Sequence, residues 1–301
     1  MDQIQSMRVF ARVVEAGSFT KAAASLALPK GTVTKLVQRL EERLKVKLLN
    51  RTTRRVTVTP EGAAYYERTS RVLNDLDDIE ASMTNAQASP SGRLRVDVGS
   101  SIARLIVIPA LPDFFARYPD IRLELGVGDR PVDLVGENVD CVIRGGNISE
   151  QTLVARRIAN IELVTVASRA YIERHGMPTH PNEIEEKHSM VAFVSPRTGQ
   201  LFPEIFEKDG ERIEFMARRC VTVNDGNAHL AATLAGLGIG QNARFAAHPH
   251  LQSGELVQVL PDWKHPSVPL HVVYPPNRHL SAKTRAFVDW TAELFARHPT
   301  I

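Results

Sequence analysis

Lys30, Gly31, Thr32, Thr34, Lys35, Gln38 and Arg39 combine cations, hydroxyls and an amide within one short stretch of chain. Side chains of these types read nucleic acid. Thr and Gln hydrogen-bond base edges, while Lys and Arg reach phosphates or guanine. A second basic group follows in Arg51-Thr52-Thr53-Arg54-Arg55, a polar turn between Lys47-Leu48-Leu49 and Val56-Thr57-Val58. That pattern predicts a small hairpin whose Arg51, Thr53, Arg54 and Arg55 suit a DNA backbone or the adjacent minor groove. The competing reading is a helical bundle with an ordinary solvated charged face.

Charge placement separates the two readings. The 301-residue chain carries a net charge of only +3. Residues 1–59 hold 12 Lys and Arg against 4 Asp and Glu, whereas residues 60–92 hold 2 against 6. The remaining 209 residues are nearly balanced, with 23 against 24. The basic excess coincides with the polar helix face and the hairpin, as docking to a polyanion requires.

Those side chains need a scaffold, and the apolar spacing supplies one. Ile4, Met7, Phe10, Ala11 and Val14 recur at helical intervals, and Gly17 closes that helix. Ser18 is an N-cap for a short second helix over residues 19–27 and a candidate DNA contact itself. Pro29 starts a third helix with Val33, Leu36, Val37, Leu40 and Leu44 as its inner stripe. The polar face then lies opposite, with the helix N-terminus directed at the major groove. Thr59-Pro60-Glu61 begins a long helix reaching about residue 87, on which Leu73, Leu76, Ile79, Met83 and Ala86 form a narrow seam. Such a seam fits a dimer contact, which a two-fold DNA site needs; packing on its own domain is the alternative. Ala88-Ser89-Pro90-Ser91-Gly92 breaks the helix as a hinge.

From residue 93 strands and helices alternate. Strands are expected at 93–99, 121–126, 139–144, 162–167, 190–194, 220–223, 238–241 and 270–274, and helices at 102–117 (interrupted or begun by Pro109 and Pro112), 131–137, 168–175, 181–186, 228–235 and 282–297. This repetition predicts parallel pairing in two α/β lobes, joined near 161–163 and 265–269, with a ligand cleft between them. Strand ends supply the cleft candidates. Ser100 and Ser101 precede a helix, so their hydroxyls and free backbone N–H groups suit a carboxylate, unless they only cap that helix. Arg144, before Gly145-Gly146, suits a bidentate hold on an acidic effector or an internal salt bridge. Asp129, Asn224 and Asp225 are effector contacts or turn residues. Ser195 and Arg197 lie on a Pro-containing loop suited to cover the cleft.

Several motifs point elsewhere and are set aside. Gly236-Leu237-Gly238-Ile239-Gly240 follows a helix and precedes a strand, the reverse of a dinucleotide fingerprint, and reads as a turn. His248-Pro249-His250 and the pair His175 and His180 have no Cys or acidic partners at metal spacing and read as solvated loop histidines. No nucleophile elbow, phosphate loop or metal set can be assembled, so no enzyme activity, cofactor or metal is expected. Cys141 and Cys220 read as buried thiols, with redox sensing the lesser alternative. No run approaches the roughly 20 apolar residues that span a bilayer. The first residues lack a basic leader followed by an apolar run, so a cytoplasmic protein is expected.

Taken whole, the chain resembles the LysR-type transcriptional regulators. Ser18-Phe19-Thr20-Lys21-Ala22-Ala23, Val33-Thr34-Lys35-Leu36-Val37-Gln38-Arg39-Leu40-Glu41 and Asn50-Arg51-Thr52-Thr53-Arg54-Arg55 with Thr59-Pro60-Glu61-Gly62 carry the likeness in the first part. Arg104 with Pro109-Ala110-Leu111-Pro112-Asp113-Phe114, the run Val139 to Gly146, and Ala235-Gly236-Leu237-Gly238-Ile239-Gly240 carry it in the second. The loop Ser195-Pro196-Arg197-Thr198-Gly199 is similar to one in the CrgA-like branch. The chain departs at Leu28-Pro29-Lys30-Gly31-Thr32, where the family often has a serine-rich start, and at Lys45-Val46 and Leu48-Leu49, where it often has Leu-Gly and Leu-Phe. These changes keep the apolar pattern, so they bear on the operator sequence rather than the fold. The resemblance implies an all-α winged helix-turn-helix over 1–59, a linker and dimerisation helix over 60–88 and a hinge at 89–92. It further implies a two-lobed, periplasmic-binding-protein-like α/β effector domain over 93–301, lobe I being 93–162 with 267–301 and lobe II 163–266. The expected partners are double-stranded DNA of dyad symmetry, a small-molecule effector, a homodimer or homotetramer mate and RNA polymerase. Arg144 and the serine pair point to an organic anion as the effector, and the lack of a long apolar run points away from a membrane.

Overall fold

Apolar side chains at helical spacing fold the first forty-five residues into three helices around one core. This computed structural model describes residues 3–51, 56–84, 89–134, 136–148, 152–276 and 280–298. It forms two compact units, Met1–Ala88 and Ser89–Ile301. In the first, α1 (Gln3–Ala16), α2 (Phe19–Ser25) and α3 (Lys30–Leu44) bury Val9, Phe10, Val13, Ala22, Ala23, Val33, Leu36, Val37 and Leu40 together. The buried stripe of α1 is rotated from the expected one, because Ile4 is exposed and Met7 and Val14 are half-buried. Gly17, at a φ of +58°, ends α1 where a side chain would be strained. Lys45 takes the left-handed conformation that caps α3, and the chain turns into the hairpin of β1 (Leu49–Arg51) and β2 (Val56–Val58). Leu49 lies opposite Val58.

The long helix α4 (Pro60–Thr84) follows. Of its proposed seam, Leu73 is buried and Leu76 half-buried; the side chains of Ile79 and Met83, and all of Ala86, lie outside the described residues. The start of α4 is pinned to the hairpin. Thr59 donates its N–H to the Leu48 carbonyl (3.0 Å) and its hydroxyl to the Lys47 carbonyl (2.7 Å), and that hydroxyl accepts the Gly62 N–H (2.9 Å).

The second unit holds two sheet systems. β3 (Gly92–Val98) leads through α5 (Ser100–Ile102), a π-helical turn (Ala103–Val107) and α6 (Ile108–Arg117) to β4 (Ile121–Val127), β5 (Cys141–Gly145) and β6 (Val154–Ile161). The chain then crosses at Glu162 into β7 (Leu163–Ser168), α7 (Arg169–His175), α8 (Pro181–Lys187), β8 (Met190–Phe193), β9 (Glu204–Lys208), β10 (Glu211–Phe215) and β11 (Arg219–Val223). After α9 (Gly226–Leu234), β12 (Gly240–Ala243), α10 (Arg244–Ser253) and β13 (Leu256–Gln258), it returns as β14 (Val268–Tyr274) and α11 (Ala282–Ala296). The first lobe is a five-stranded sheet in the order β4-β3-β5-β14-β6. The second lobe has the three strands β12-β7-β13, the pair β8 and β11, and the hairpin of β9 and β10.

Several expectations are corrected here. Parallel pairing holds for β3 with β4 and β5 and for β8 with β11. It fails for β14, which returns from the second lobe and runs antiparallel to β5 and β6, and for β7, antiparallel to β12 and β13. The helix expected at 131–137 is a turn. There the Glu137 N–H donates to the Asp133 carbonyl (2.8 Å), while the Asp133 carboxylate accepts the Gly136 N–H (2.8 Å) and the Glu137 carboxylate is held by Arg130, so side-chain bonds compete with continuation of the helix. Pro109 and Pro112 do not break the 102–117 helix, which runs on through the π turn into α6. Cys141 is buried, but Cys220 is exposed: it is the residue left out of register between Arg219 and Val221, where β11 bulges against β8. His248 and His250 sit on α10 rather than in a loop, His175 ends α7 stacked on Tyr171, and His180 caps α8. No helix among the described residues is long and apolar enough to cross a membrane.

Gly62 tests the packing of α4 on the hairpin. A Cβ there would stand 2.0 Å from the Leu48 carbonyl oxygen. Gly62→Ala should destabilise the first unit by about 1–3 kcal/mol or more. Thermal unfolding would show a lowered midpoint; an unchanged midpoint would refute this close approach.

Candidate nucleic-acid interface and effector site

The two faces of α3 divide as chemistry requires. Val33, Leu36, Val37, Leu40 and Glu41 are buried, whereas Lys30, Thr32, Lys35, Gln38 and Arg39 are exposed. Five exposed polar side chains thus stand together on the free side of a rigid helix. Thr34 is half-buried and donates its hydroxyl to the Lys30 carbonyl (3.0 Å), leaving its oxygen as an acceptor. Ser18 is occupied as the N-cap of α2, accepting the Lys21 N–H at 3.4 Å. Arg51 ends β1 with its side chain outside the described residues, and Thr53, Arg54 and Arg55 lie outside them entirely.

Sequence reasoning missed the most buried charge among the described residues of this unit. Glu41 sits on the inner stripe of α3 and accepts the N–H groups of Leu48 (2.9 Å) and Leu49 (3.1 Å) on one oxygen. Its signal was legible: an acid at a position where the helical period calls for an apolar residue.

In the second unit, four of the proposed effector residues meet. Asp129, after β4, accepts the Ser100 N–H (2.9 Å) and the Gly226 N–H (2.9 Å), and lies 3.0 Å from the Ser100 hydroxyl. Asp225 caps α9 by accepting the Ala228 N–H (2.8 Å) and lies 2.6 Å from the same hydroxyl. Ser101 contacts Asn227 at 3.3 Å. Residues of the first lobe therefore grip the start of α9 in the second. The serine hydroxyl has one proton for two carboxylates, so it serves one of them at a time. Helix α9 is anchored in turn by His229, whose ring nitrogens lie 2.9 Å from the Val191 carbonyl and 2.9 Å from the Asn242 side chain. Burial pushes the pKa of His229 down, favouring the neutral ring.

The other candidates stand apart from this cluster. Arg144 forms a short ion pair with Asp97 and also donates to the Ile143 and Arg130 carbonyls, which is the salt-bridge alternative. Ser195 closes its own turn, accepting the Thr198 N–H (3.3 Å), while Arg197 on that turn is exposed. Asn224 is exposed one residue before Asp225. Gly236 to Ile239 form the turn between α9 and β12, and Gly240 begins that strand; a Cβ on Gly238 would meet the Ser189 carbonyl at 2.5 Å, so packing explains that glycine. Among the described residues no group of three or more His, Cys, Asp or Glu could hold a metal.

Comparison with known proteins agrees with both units. A family described as bacterial regulatory helix-turn-helix protein, lysR family, matches residues 4–63, and the LysR substrate binding domain matches residues 87–296. The chain is 40% identical over 301 residues to an HTH-type transcriptional repressor of Pseudomonas aeruginosa, covering 100% of this chain and 95% of that one. Among solved structures, CrgA of Neisseria meningitidis, a LysR-type transcriptional regulator, matches with a TM-score of 0.62 and 29% identity over 97% of this chain and 99% of that chain. The virulence activator AphB of Vibrio cholerae matches with a TM-score of 0.60 and 29% identity over the same shares.

One half-buried acid gives a pH test. Desolvation raises the pKa of Glu204, half-buried on β9, from 4.5 to about 7, with Arg219 pulling the other way. A raised acid favours its protonated form in the folded chain, so its contribution to stability is full below about pH 4.5 and is lost as pH rises through about 7. Glu204→Gln should flatten the melting temperature between these values and stabilise the protein by about 1–3 kcal/mol at pH 8. A melting profile as steep as the parent's would show that Glu204 does not titrate there.

Proposed function

This chain belongs to the LysR family of DNA-binding transcriptional regulators, and we propose that it reads an operator of dyad symmetry as a homodimer or homotetramer. The observation that carries the reading is the single exposed face of α3, where Lys30, Thr32, Lys35, Gln38 and Arg39 have no packing role. Thr32, Thr34 and Gln38 contact base edges; Lys30, Lys35 and Arg39 contact phosphates or guanine, with Ser18 beside them. Arg51, Thr53, Arg54 and Arg55 extend the footprint to the flanking backbone. In this reading residues 1–59 are the reading head, 60–88 the linker and dimerisation helix, 89–92 the hinge and 93–301 the effector domain. The second unit carries no catalytic step, the protein works in the cytoplasm, and RNA polymerase is a further partner.

The effector is a small organic anion taken between the lobes by Ser100 and Ser101, beside Asp129 and Asp225; Arg144, Ser195, Arg197 and Asn224, which stand apart from that cluster, reach it only if the lobes move. Asp129 already fills the backbone donors at this place, so such an anion binds by displacing it. Displacement releases the Gly226 N–H at the start of α9 from the first lobe's Asp129 and changes the angle between lobes, which the hinge passes to the DNA-bound heads.

Two measurements test this reading. Fragments selected from the source genome by the full-length protein should share dyad symmetry and bind with a steep salt dependence; Lys35→Ala with Arg39→Ala should lower that slope by about 2, or about one per phosphate contact. Weak binding with no shared sequence would sink the operator reading. Asp129→Ala should bind small carboxylates about tenfold more tightly than the parent by calorimetry, because a competing internal acceptor worth about 1.4 kcal/mol is gone. Equal affinity in the two proteins would remove the displacement step.

A further inference from the structure

Glu41 is the one acid on the buried side of α3, and its side chain is only 3% exposed. Burying a carboxylate costs free energy unless donors meet it. Its donors come from the segment that follows the helix. One oxygen accepts both the Leu48 and the Leu49 N–H, and the other lies 3.4 Å from the Lys47 ammonium, itself 78% exposed. The chain reverses at Lys45, and the Val46 N–H donates to the backbone carbonyl of Glu41. Residue 41 therefore holds the returning strand twice, by main chain and by side chain.

What it holds is the root of the hairpin. Leu48 gives its N–H to Glu41 and its carbonyl to Thr59, so both its backbone groups are fixed. Leu49 is the first residue of β1 and pairs with Val58 at the other end of β2. Neither Leu48 nor Leu49 exposes its side chain. An apolar residue at 41 would fill the same core but would leave two buried N–H groups unpaired. A charged acceptor is thus used where packing alone would not set direction.

We propose that Glu41 is a positioning residue for DNA recognition: by holding the Leu48 and Leu49 N–H groups it fixes where the hairpin of β1 and β2 stands against the reading face of α3. It touches no DNA itself. The role rests on the DNA-binding reading above and adds a determinant of how far along the duplex one head reaches. Because one oxygen accepts both amides, a carboxamide can reproduce the hold, while a shortened carboxylate cannot.

The test is hydroxyl-radical footprinting of the full-length protein on its best selected genomic fragment, with amide exchange of Leu48 and Leu49 read in the absence of DNA. Glu41→Gln should keep the parent footprint and an affinity within twofold. Glu41→Ala should lose flanking protection while keeping the central major-groove protection, with affinity down about tenfold and the two amides exchanging at least tenfold faster. Should Glu41→Ala be unfolded by its thermal melt, Glu41→Asp decides, since it keeps the charge and withdraws the acceptor by one methylene; the same loss of flanking protection is expected. Parent-like footprints in Glu41→Ala or, where that is unfolded, Glu41→Asp would overturn the proposal, as would Glu41→Gln behaving like Glu41→Ala. Parent protein that leaves no footprint defeats the DNA reading instead, and slow Leu48 and Leu49 exchange in the folded variants then overturns the positioning role by itself.

Discussion

A carboxylate shut away from water must be met by hydrogen-bond donors, and in the first unit Glu41 is met by the backbone that follows its own helix. Much else hangs on that contact. With Leu48 held from one side by Glu41 and from the other by Thr59, the hairpin, α3 and α4 share a single junction, and Gly62 is small because that junction has no space for a Cβ. The polar face of α3 is bare because every packing demand is satisfied on its opposite side. Function here is what remains after the core has taken what it needs.

The second unit solves a similar problem over greater chain distances. Helices α5 and α9 begin on N–H groups that need acceptors, and carboxylates of the same unit provide them. Asp225 caps α9 locally, whereas Asp129 reaches a residue 29 positions away in one lobe and another 97 positions away in the other. The lobes therefore meet at this point through directional hydrogen bonds as well as through the apolar core they share. Two carboxylates there share one hydroxyl, whose single proton serves one of them at a time.

The parts legible in the sequence are those where local contrast decides. α2, α3 and the start of α4 were readable because caps and a solvent-facing side impose a pattern, and β2 lies on the apolar Val56-Thr57-Val58 run. The direction of β14 was not readable, since it depends on which lobe the chain comes back from rather than on its own residues. β6, with Arg156, Arg157 and Asn160 on a mostly exposed edge, shows no alternation to read. The hairpin of β9 and β10 did carry a signal, Asp209-Gly210 between two short strands, that went unused. At the site, Ser100, Asp129 and Asp225 could each be named as ligand contact or turn residue. That they satisfy one another is a fact of three dimensions, because 125 residues separate the first from the last.

The threading of the second unit also dictates an order of birth. The first unit draws its core from residues 9–49, so it can close while synthesis is still under way. The five-stranded sheet of the other unit waits for β14, which lies between β5 and β6, and for the Phe287 and Trp290 of α11 that pack on its core. A nascent chain thus owns a finished reading head long before its first lobe can shut. Translation cut short ahead of residue 268 would release that head without the lobe meant to govern it.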